Sequence, residues 1–402
     1  HGISDINHGV DGCEGRVFTL HDTGWLRAAK GGFLEDSLPA KDAIMTPQAI
    51  TALSSRLSPH IRLSKSRLET LSLLIVAMVS ARTVNLSHLA CERAGSVLIA
   101  STYRRLQRFF QHVSLPEDWS AGLVVRLLGL SGTWHLCLDR TNWKIGARDV
   151  NILMLAITTQ RFRVPLMWTV LDKAGSSNTE ERIALLRRYL ALFGAGSVKL
   201  LLADREFIGL EWLNFLEARG IPFAIRVKAG MIVITEDGKR LRLRSLLAKR
   251  RPGRKFQATF PAQGDAEALT LTFAAKRIKG GELLIVASNV PDQNALNAYR
   301  RRWSIECLFG DAKTRGLNLE DTRMQTAEKL SLLLAIVAMA IAWANKTASA
   351  LIGTGKLTRK THGHYAKSWF RTGFDEVRRL LRNNPIAALD PWQSISKRKR
   401  VV

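Results

Sequence analysis

The chain has 402 residues, 60 Lys plus Arg against 34 Asp plus Glu, a formal charge of +26 and an isoelectric point near 10.6. Such an excess repels itself unless a polyanion neutralises it, so nucleic acid is the leading partner, and the spread of the cations over several segments argues against one basic helix lying on a membrane. An apolar content of 46% excludes disorder as the default, and four scattered cysteines (Cys13, Cys91, Cys137, Cys307) without a C-x-x-C argue against a zinc ribbon or disulfide framework and fit a reducing cytosol.

The length suggests two or three domains. Residues 1–44 carry four Lys/Arg against seven Asp/Glu, lack sustained apolar periodicity, begin with His1 and run directly into Met45. They are expected to be a poorly ordered upstream extension that adds little to the fold, and no signal peptide is recognisable in them. Residues 45–125 form a helical domain by pattern. Arg67 to Arg82 is nearly continuously apolar, Asn85-Leu86-Ser87 offers a helix cap, and Ser101 to His112 interleaves Tyr103, Arg104, Arg105 and Arg108 with Phe109 and Phe110. Two readings stand for that last piece: a small DNA-binding unit, or a packing layer whose arginines are solvated.

The period changes at Trp134. Residues 134–143, 150–159 and 163–171 read as successive strands. A helix over 178–193 with Glu180 and Glu181 in its first turn leads to a strand over 198–203, a helix over 210–219 and a strand over 222–227. This is an α/β pattern with a mixed sheet, spanning 126–350. The order β-β-β-α-β-α-β is that of ribonuclease-H-like folds, an analogy that by itself gives no function. A β-rich insertion over about 229–281 interrupts it. There Lys239 to Lys255 holds nine Lys/Arg and no acid, either a phosphate-contacting surface or a solvated loop.

Glu282 to Val290 resumes the sheet pattern and leads into a helix over 298–316. Leu330 to Ala344 is the most apolar run, shorter than the roughly 20 residues a membrane span needs, and reads as a buried helix. In the basic C-terminal region, 351–402, Ser368 to Asn383 is amphipathic from Phe374 onward, with Gly373 expected to weaken its first turns. Lys397 to Arg400 is either a nonspecific DNA tether or a solvated tail.

Three carboxylates stand out. Tyr299, Arg302, Glu306 and Lys313 fall within an arc of roughly 60° on an ideal helix, a polar stripe flanked by Ile305, Leu308 and Phe309. Glu306 has two plain readings, an i,i+4 pair with Arg302 or a solvated face. Asp139, in LCLDRTNW, and Asp204, in LLLADREF, each end an apolar run, where a lone aspartate is as readily a turn residue. Taken together the three acids suit two Mg²⁺ ions roughly 4 Å apart, which stabilise the entering and departing oxygens of a phosphoryl displacement. Asp172, Glu206 and Asp311 compete. Asp311 lies about 140° around the helix from Glu306, and Asp172, also after a strand, is the strongest rival.

The spacing Tyr299-x2-Arg302-x3-Glu306-x6-Lys313 resembles the Y-R-E-K signature of DDE transposases of bacterial insertion sequences, specifically the insertion sequence 4 family. LCLDRTNW and ADREFIG resemble that family's two aspartate motifs, and the resemblance runs from about Met45 to the C-terminal region. It implies a ribonuclease-H-like catalytic core with a β insertion before the glutamate helix, which the 101 residues between Asp204 and Glu306 accommodate. It also implies Asp139, Asp204 and Glu306 as catalytic and metal-holding triad, and Tyr299, Arg302 and Lys313 as contacts to transposon-end phosphates. The implied cofactor is Mg²⁺, two ions per site, with Mn²⁺ as substitute. The implied activity is cut and paste: cleavage at terminal inverted repeats, then joining of 3′ ends to target DNA by a homodimer in a bacterial cytoplasm, associated with the nucleoid. Relatives that form hairpins use an aromatic wedge; the insertion has no Trp, leaving Phe256, Phe260 and Trp303 as alternatives. A catalytically inactive DNA-binding inhibitor of transposition and a stand-alone Mg²⁺-dependent nuclease are the competing functions.

Overall fold

The computed structural model describes residues 47–248, 253–278, 280–291, 294–361 and 363–395; the acidic extension, Met45 and the Lys397 to Arg400 tail lie outside them. The first described residues are helical as the pattern requires: α1 (Pro47–Leu57), α2 (Lys65–Ala81), α3 (Leu86–Cys91), α4 (Ile99–His112) and α5 (Ala121–Leu128). The Asn85 side chain accepts from the Ser87 N–H at 3.1 Å, satisfying one of the donors a helix start leaves open. On α4, Leu106, Phe109 and Phe110 are buried, and Arg105 is spent on Thr70, Ser66 and Glu69 of α2. Arg104 and Arg108 are exposed, so the helix packs through one face and leaves two cations on the other.

The sheet follows in the expected order. Strands β1 (Trp134–Ile145), β2 (Arg148–Thr158) and β3 (Arg163–Leu171) form an antiparallel meander. Helix α6 (Thr179–Phe193) starts with a reciprocal Asn178–Glu181 capping box, then β4 (Val198–Ala203) pairs parallel to β1. After α7 (Leu210–Ala218), β5 (Phe223–Val227) pairs parallel to β4. The insertion contributes β6 (Ile232–Ile234), β7 (Arg240–Arg242), α8 (Leu243–Ala248), β8 (Phe256–Phe260) and β9 (Leu269–Arg277), and β10 (Leu283–Ser288) returns antiparallel to β5. The described strands make one ten-stranded mixed sheet ordered β3-β2-β1-β4-β5-β10-β9-β8-β6-β7. The insertion thus continues the sheet, with Arg240, Arg242 and Arg244 exposed at its far end.

Three expectations need correction. The helix over 298–316 is not uniform: α9 (Ala295–Tyr299), a tighter 3₁₀ turn at Arg300–Arg302 and α10 (Trp303–Ala312) succeed one another, and Lys313 leaves helical geometry at the C-cap. The tighter turn coincides with Arg301 reaching His135 and Arg302 reaching Asp139. The apolar run lies inside a longer helix, α11 (Ala327–Ile352), whose 26 residues satisfy the length and composition of a membrane span. Its apolar stretch is nonetheless largely buried, against α2, α5, β3 and α12 (Trp369–Asn383). Gly373 is a packing residue: a Cβ there would sit 1.8 Å from the Ala344 carbonyl oxygen, so its absence lets α12 cross α11 backbone to backbone. A short α13 (Pro385–Ala388) and a 3₁₀ segment (Asp390–Ile395) close the helical layer, where Trp343 donates to the Ala388 carbonyl at 2.9 Å and meets Trp392 edge to face.

Candidate active site

Sheet register explains why two distant aspartates meet. In the parallel β1–β4 pair, Leu138 lies opposite Ala203, so Asp139 and Asp204 are the next residues on neighbouring strands. At this point β4 ends while β1 continues alongside β2, opening the sheet edge where α/β folds place reactive groups. Each carboxylate accepts from the N–H of the arginine that follows it, Arg140 and Arg205, both at 2.8 Å.

Glu306, on α10, arrives from the other side of the chain. Arg302 bridges the two groups: its Nη1 donates to Asp139 Oδ2 at 3.1 Å and its Nη2 to Glu306 Oε1. The i,i+4 pair foreseen as a plain reading is therefore present, and the same guanidinium also holds a strand aspartate. Tyr299 lies beneath, its ring 5.9 Å from the Arg302 guanidinium carbon and its hydroxyl donating to Asp204 Oδ1 at 3.1 Å. Arg226, from β5, reaches the same Asp204 oxygen at 3.7 Å.

The electrostatics follow from burial. Burial pushes Asp139 up to about 6, with Glu206 and Asp204 adding repulsion, although Arg302 and the Arg140 N–H pull the other way. Burial likewise raises the Tyr299 hydroxyl, keeping it a donor. Burial opposes the charge on Arg302, yet Tyr299, Asp139, Asp204 and Glu306 outweigh it and hold the guanidinium above its ordinary value. All three acids thus act on one cation.

Lys313 belongs to a neighbouring group. Its ammonium donates to the Asn142 carbonyl at 3.2 Å, pairs with Glu320 at 2.7 Å and lies 5.5 Å from the Trp143 ring centre. The stripe drawn on an ideal helix is thereby divided: Tyr299, Arg302 and Glu306 join the aspartates, and Lys313 stands beyond them. Ile305 and Leu308 are buried and Phe309 half-buried, as expected of the flank.

The rival carboxylates have other partners. Asp172 is exposed and pairs with Arg148 at 3.3 Å, and Asp311 is buried against Arg163 at 3.1 Å. Glu206 takes Arg140 through two hydrogen bonds, 2.8 and 3.1 Å, beside Asp139. Sequence reasoning overlooked Arg140, Arg226 and this use of Glu206. The available signals were an arginine directly after Asp139 and a single charge within the otherwise apolar FAIRV strand. Among the aromatic alternatives, Phe256 and Phe260 are buried around Phe273, whereas Trp303 is 40% exposed beside Arg302.

Among the described residues no group of three or more His, Cys, Asp or Glu is drawn together closely enough to hold a metal ion. The donor chemistry still fits a hard divalent cation: Asp139, Asp204 and Glu306 are oxygen donors that already act on a shared positive charge, and Asp139 is a half-buried carboxylate repelled by its acidic neighbours.

A family model described as "Transposase DDE domain" matches residues 130–343, just over half of the chain. No curated protein matches it. Among solved structures, the crystal structure of an endonuclease V from Bacillus subtilis is similar over 61% of this chain and 92% of its own, at 10% identity and a TM-score of 0.23.

Proposed function

We propose, from the premise that this chain belongs to the transposase DDE domain family, that it is a cut-and-paste DNA transposase. The family's enzymes cleave DNA with divalent metal. The finer reading is an enzyme of the insertion sequence 4 kind that binds its element's terminal inverted repeats, cleaves them and joins the 3′ ends to target DNA as a dimer. The observation that carries it is the meeting of Asp139, Asp204 and Glu306 around Arg302 where β4 ends beside the middle of β1.

In this reading the meander, β4 and β5 form a ribonuclease-H-like core, and β6 to β9 its insertion. Asp139, Asp204 and Glu306 would hold two Mg²⁺ ions, which supply Lewis-acid stabilisation to the entering and departing oxygens of hydrolysis and strand joining. Tyr299 and Arg226 orient Asp204. Arg302 exchanges a carboxylate for a backbone phosphate as DNA arrives, and its planar fork suits either partner. Lys313, next to Trp143, takes a phosphate farther along the strand. Trp303 offers an exposed ring on which a displaced base stacks.

The test is cleavage and joining of labelled DNA carrying the element's terminal repeats, with Mg²⁺ and with chelator. Mg²⁺-dependent cutting at the repeat ends followed by joining is the expected outcome. End binding without cutting would make the protein an inhibitor of transposition, and cutting without end preference would make it a nuclease.

A further inference from the structure

The two aspartates are tied together by a side-chain pair that the proposed reaction leaves unused. Arg140 directly follows Asp139 and Glu206 lies two residues after Asp204, so a contact between them ties the middle of β1 to the turn after β4. That contact is a two-point one, Nε to Oε1 at 2.8 Å and Nη2 to Oε2 at 3.1 Å, which fixes orientation as well as distance.

The pair is itself braced on both sides. The remaining Arg140 nitrogen, Nη1, donates to Asn151 Oδ1 on β2 at 2.9 Å, and the Asn151 amide donates to the Lys173 and Gly175 carbonyls, both at 2.9 Å. On the Glu206 side, Arg182 of α6 donates to the Glu206 carbonyl at 3.0 Å and to the Ser177 hydroxyl at 2.9 Å. Asn151, Ser177 and Arg182 are buried. One polar strut therefore joins β1, β2, the loop after β3, α6 and the turn after β4.

We propose that Arg140 and Glu206 are positioning residues that set the separation of Asp139 and Asp204 and so determine how tightly this acidic centre takes a divalent cation. The inference rests on the transposase reading for the role of the two aspartates. Hydrogen-bonding partners one step behind metal-holding groups typically change metal affinity by about 10- to 100-fold when removed.

Mn²⁺ binding to the full chain, followed by electron paramagnetic resonance, tests this alongside thermal melting and the kcat and KM of end cleavage. Glu206→Gln keeps the shape but loses the charge, and Arg140→Lys keeps the charge but loses the two-point fork. Each is expected to weaken Mn²⁺ binding by about 10-fold or more and to lower kcat at saturating Mn²⁺ while KM for DNA stays put. The double variant Arg140→Met/Glu206→Met removes both charges of the pair together; it takes the donor from the buried Asn151 amide oxygen and so should melt somewhat lower, and below its melting transition it should still bind Mn²⁺ about 10-fold more weakly. Wild-type Mn²⁺ affinity in that double variant, or a lowered melting temperature with unchanged affinity in the single ones, would overturn the proposal. A wild-type protein that neither binds Mn²⁺ nor cuts DNA would instead sink the underlying reading.

Discussion

Helix α10 carries two ion pairs built to opposite plans. Asp311 and Arg163 are 5% and 6% exposed, and the Arg163 carbonyl is further held by the Asn345 amide of α11. One turn earlier Glu306 is 35% exposed and shares Arg302 with Asp139, next to Asp204. The buried pair has no route to a new partner without stranding a charge in the core, whereas the open one has competing acids on one cation and solvent access for an incoming ligand. Burial with fixed partners marks structure, and partial exposure with shared partners marks exchange.

That contrast makes opposed predictions for two carboxylates five positions apart. Glu306→Ala should lower Mg²⁺-dependent end cleavage by about 10³-fold or more, as losses of a residue from a concerted catalytic set do, and should leave end binding and the melting transition close to wild type. Asp139→Ala and Asp204→Ala should behave alike. Cleavage retained by any one of them removes that residue from the triad. Asp311→Ala should do the reverse: it removes one member of a buried ion pair, a change that typically costs about 3–5 kcal/mol. Denaturant unfolding reads this directly, and an Asp311→Ala protein of normal stability with lost cleavage would erase the distinction.

The helical layer sharpens the comparison from the side of packing. Gly373→Ala places a methyl group against the Ala344 carbonyl, with backbone on both sides and no flexible side chain to yield. Overpacking of this kind typically costs about 1–3 kcal/mol, so the variant should unfold at lower denaturant while the folded fraction keeps its DNA affinity. An unchanged transition would mean that α12 can slide on α11.

Legibility in the sequence divided along the same line. Strands β1, β3 and β4, the cap of α3, the start of α6 and the strand-end Asp204 all rest on local period and on residues close in the chain, and each stands within two residues of where the pattern puts it, whereas Asp139 lies mid-strand because β1 runs on to Ile145 beside β2. The helix bearing Glu306 is legible as an element, but its 3₁₀ turn coincides with contacts to His135 and Asp139, more than 160 positions away. The Arg140–Glu206 pair is not legible in the sequence, where Glu206 reads only as a competing carboxylate, because a contact across 66 residues follows from which strands become neighbours. The role of Gly373 was misread for the same reason: a helix-propensity scale sees a weak turn, and only the crossing helix shows why nothing larger fits.

The pH-dependent effect concerns His135, which lies beside the bridging arginine's neighbour Arg301. It is buried on β1, its Nε2 lies 2.8 Å from Arg301 Nη1, and Arg301 is the residue before the bridging Arg302. Burial, followed by the charges of Arg301 and Lys199, depresses this imidazole from 6.5 to about 4. The folded protein therefore holds it neutral, able to accept from Arg301. A group whose folded pKa lies below its unfolded value contributes stability that is complete above about pH 6.5 and is lost as pH falls toward 4. His135→Gln, which keeps an acceptor but cannot titrate, should therefore lose less stability than wild type across that interval while leaving neutral-pH stability nearly unchanged, and the difference between the two proteins isolates His135 from Asp139, whose raised value acts in the opposite sense over the same range. If the two proteins lose stability in parallel between pH 6.5 and 4, His135 is not the group that responds to acid, and the 3₁₀ turn holding Arg302 owes nothing to its neutral state.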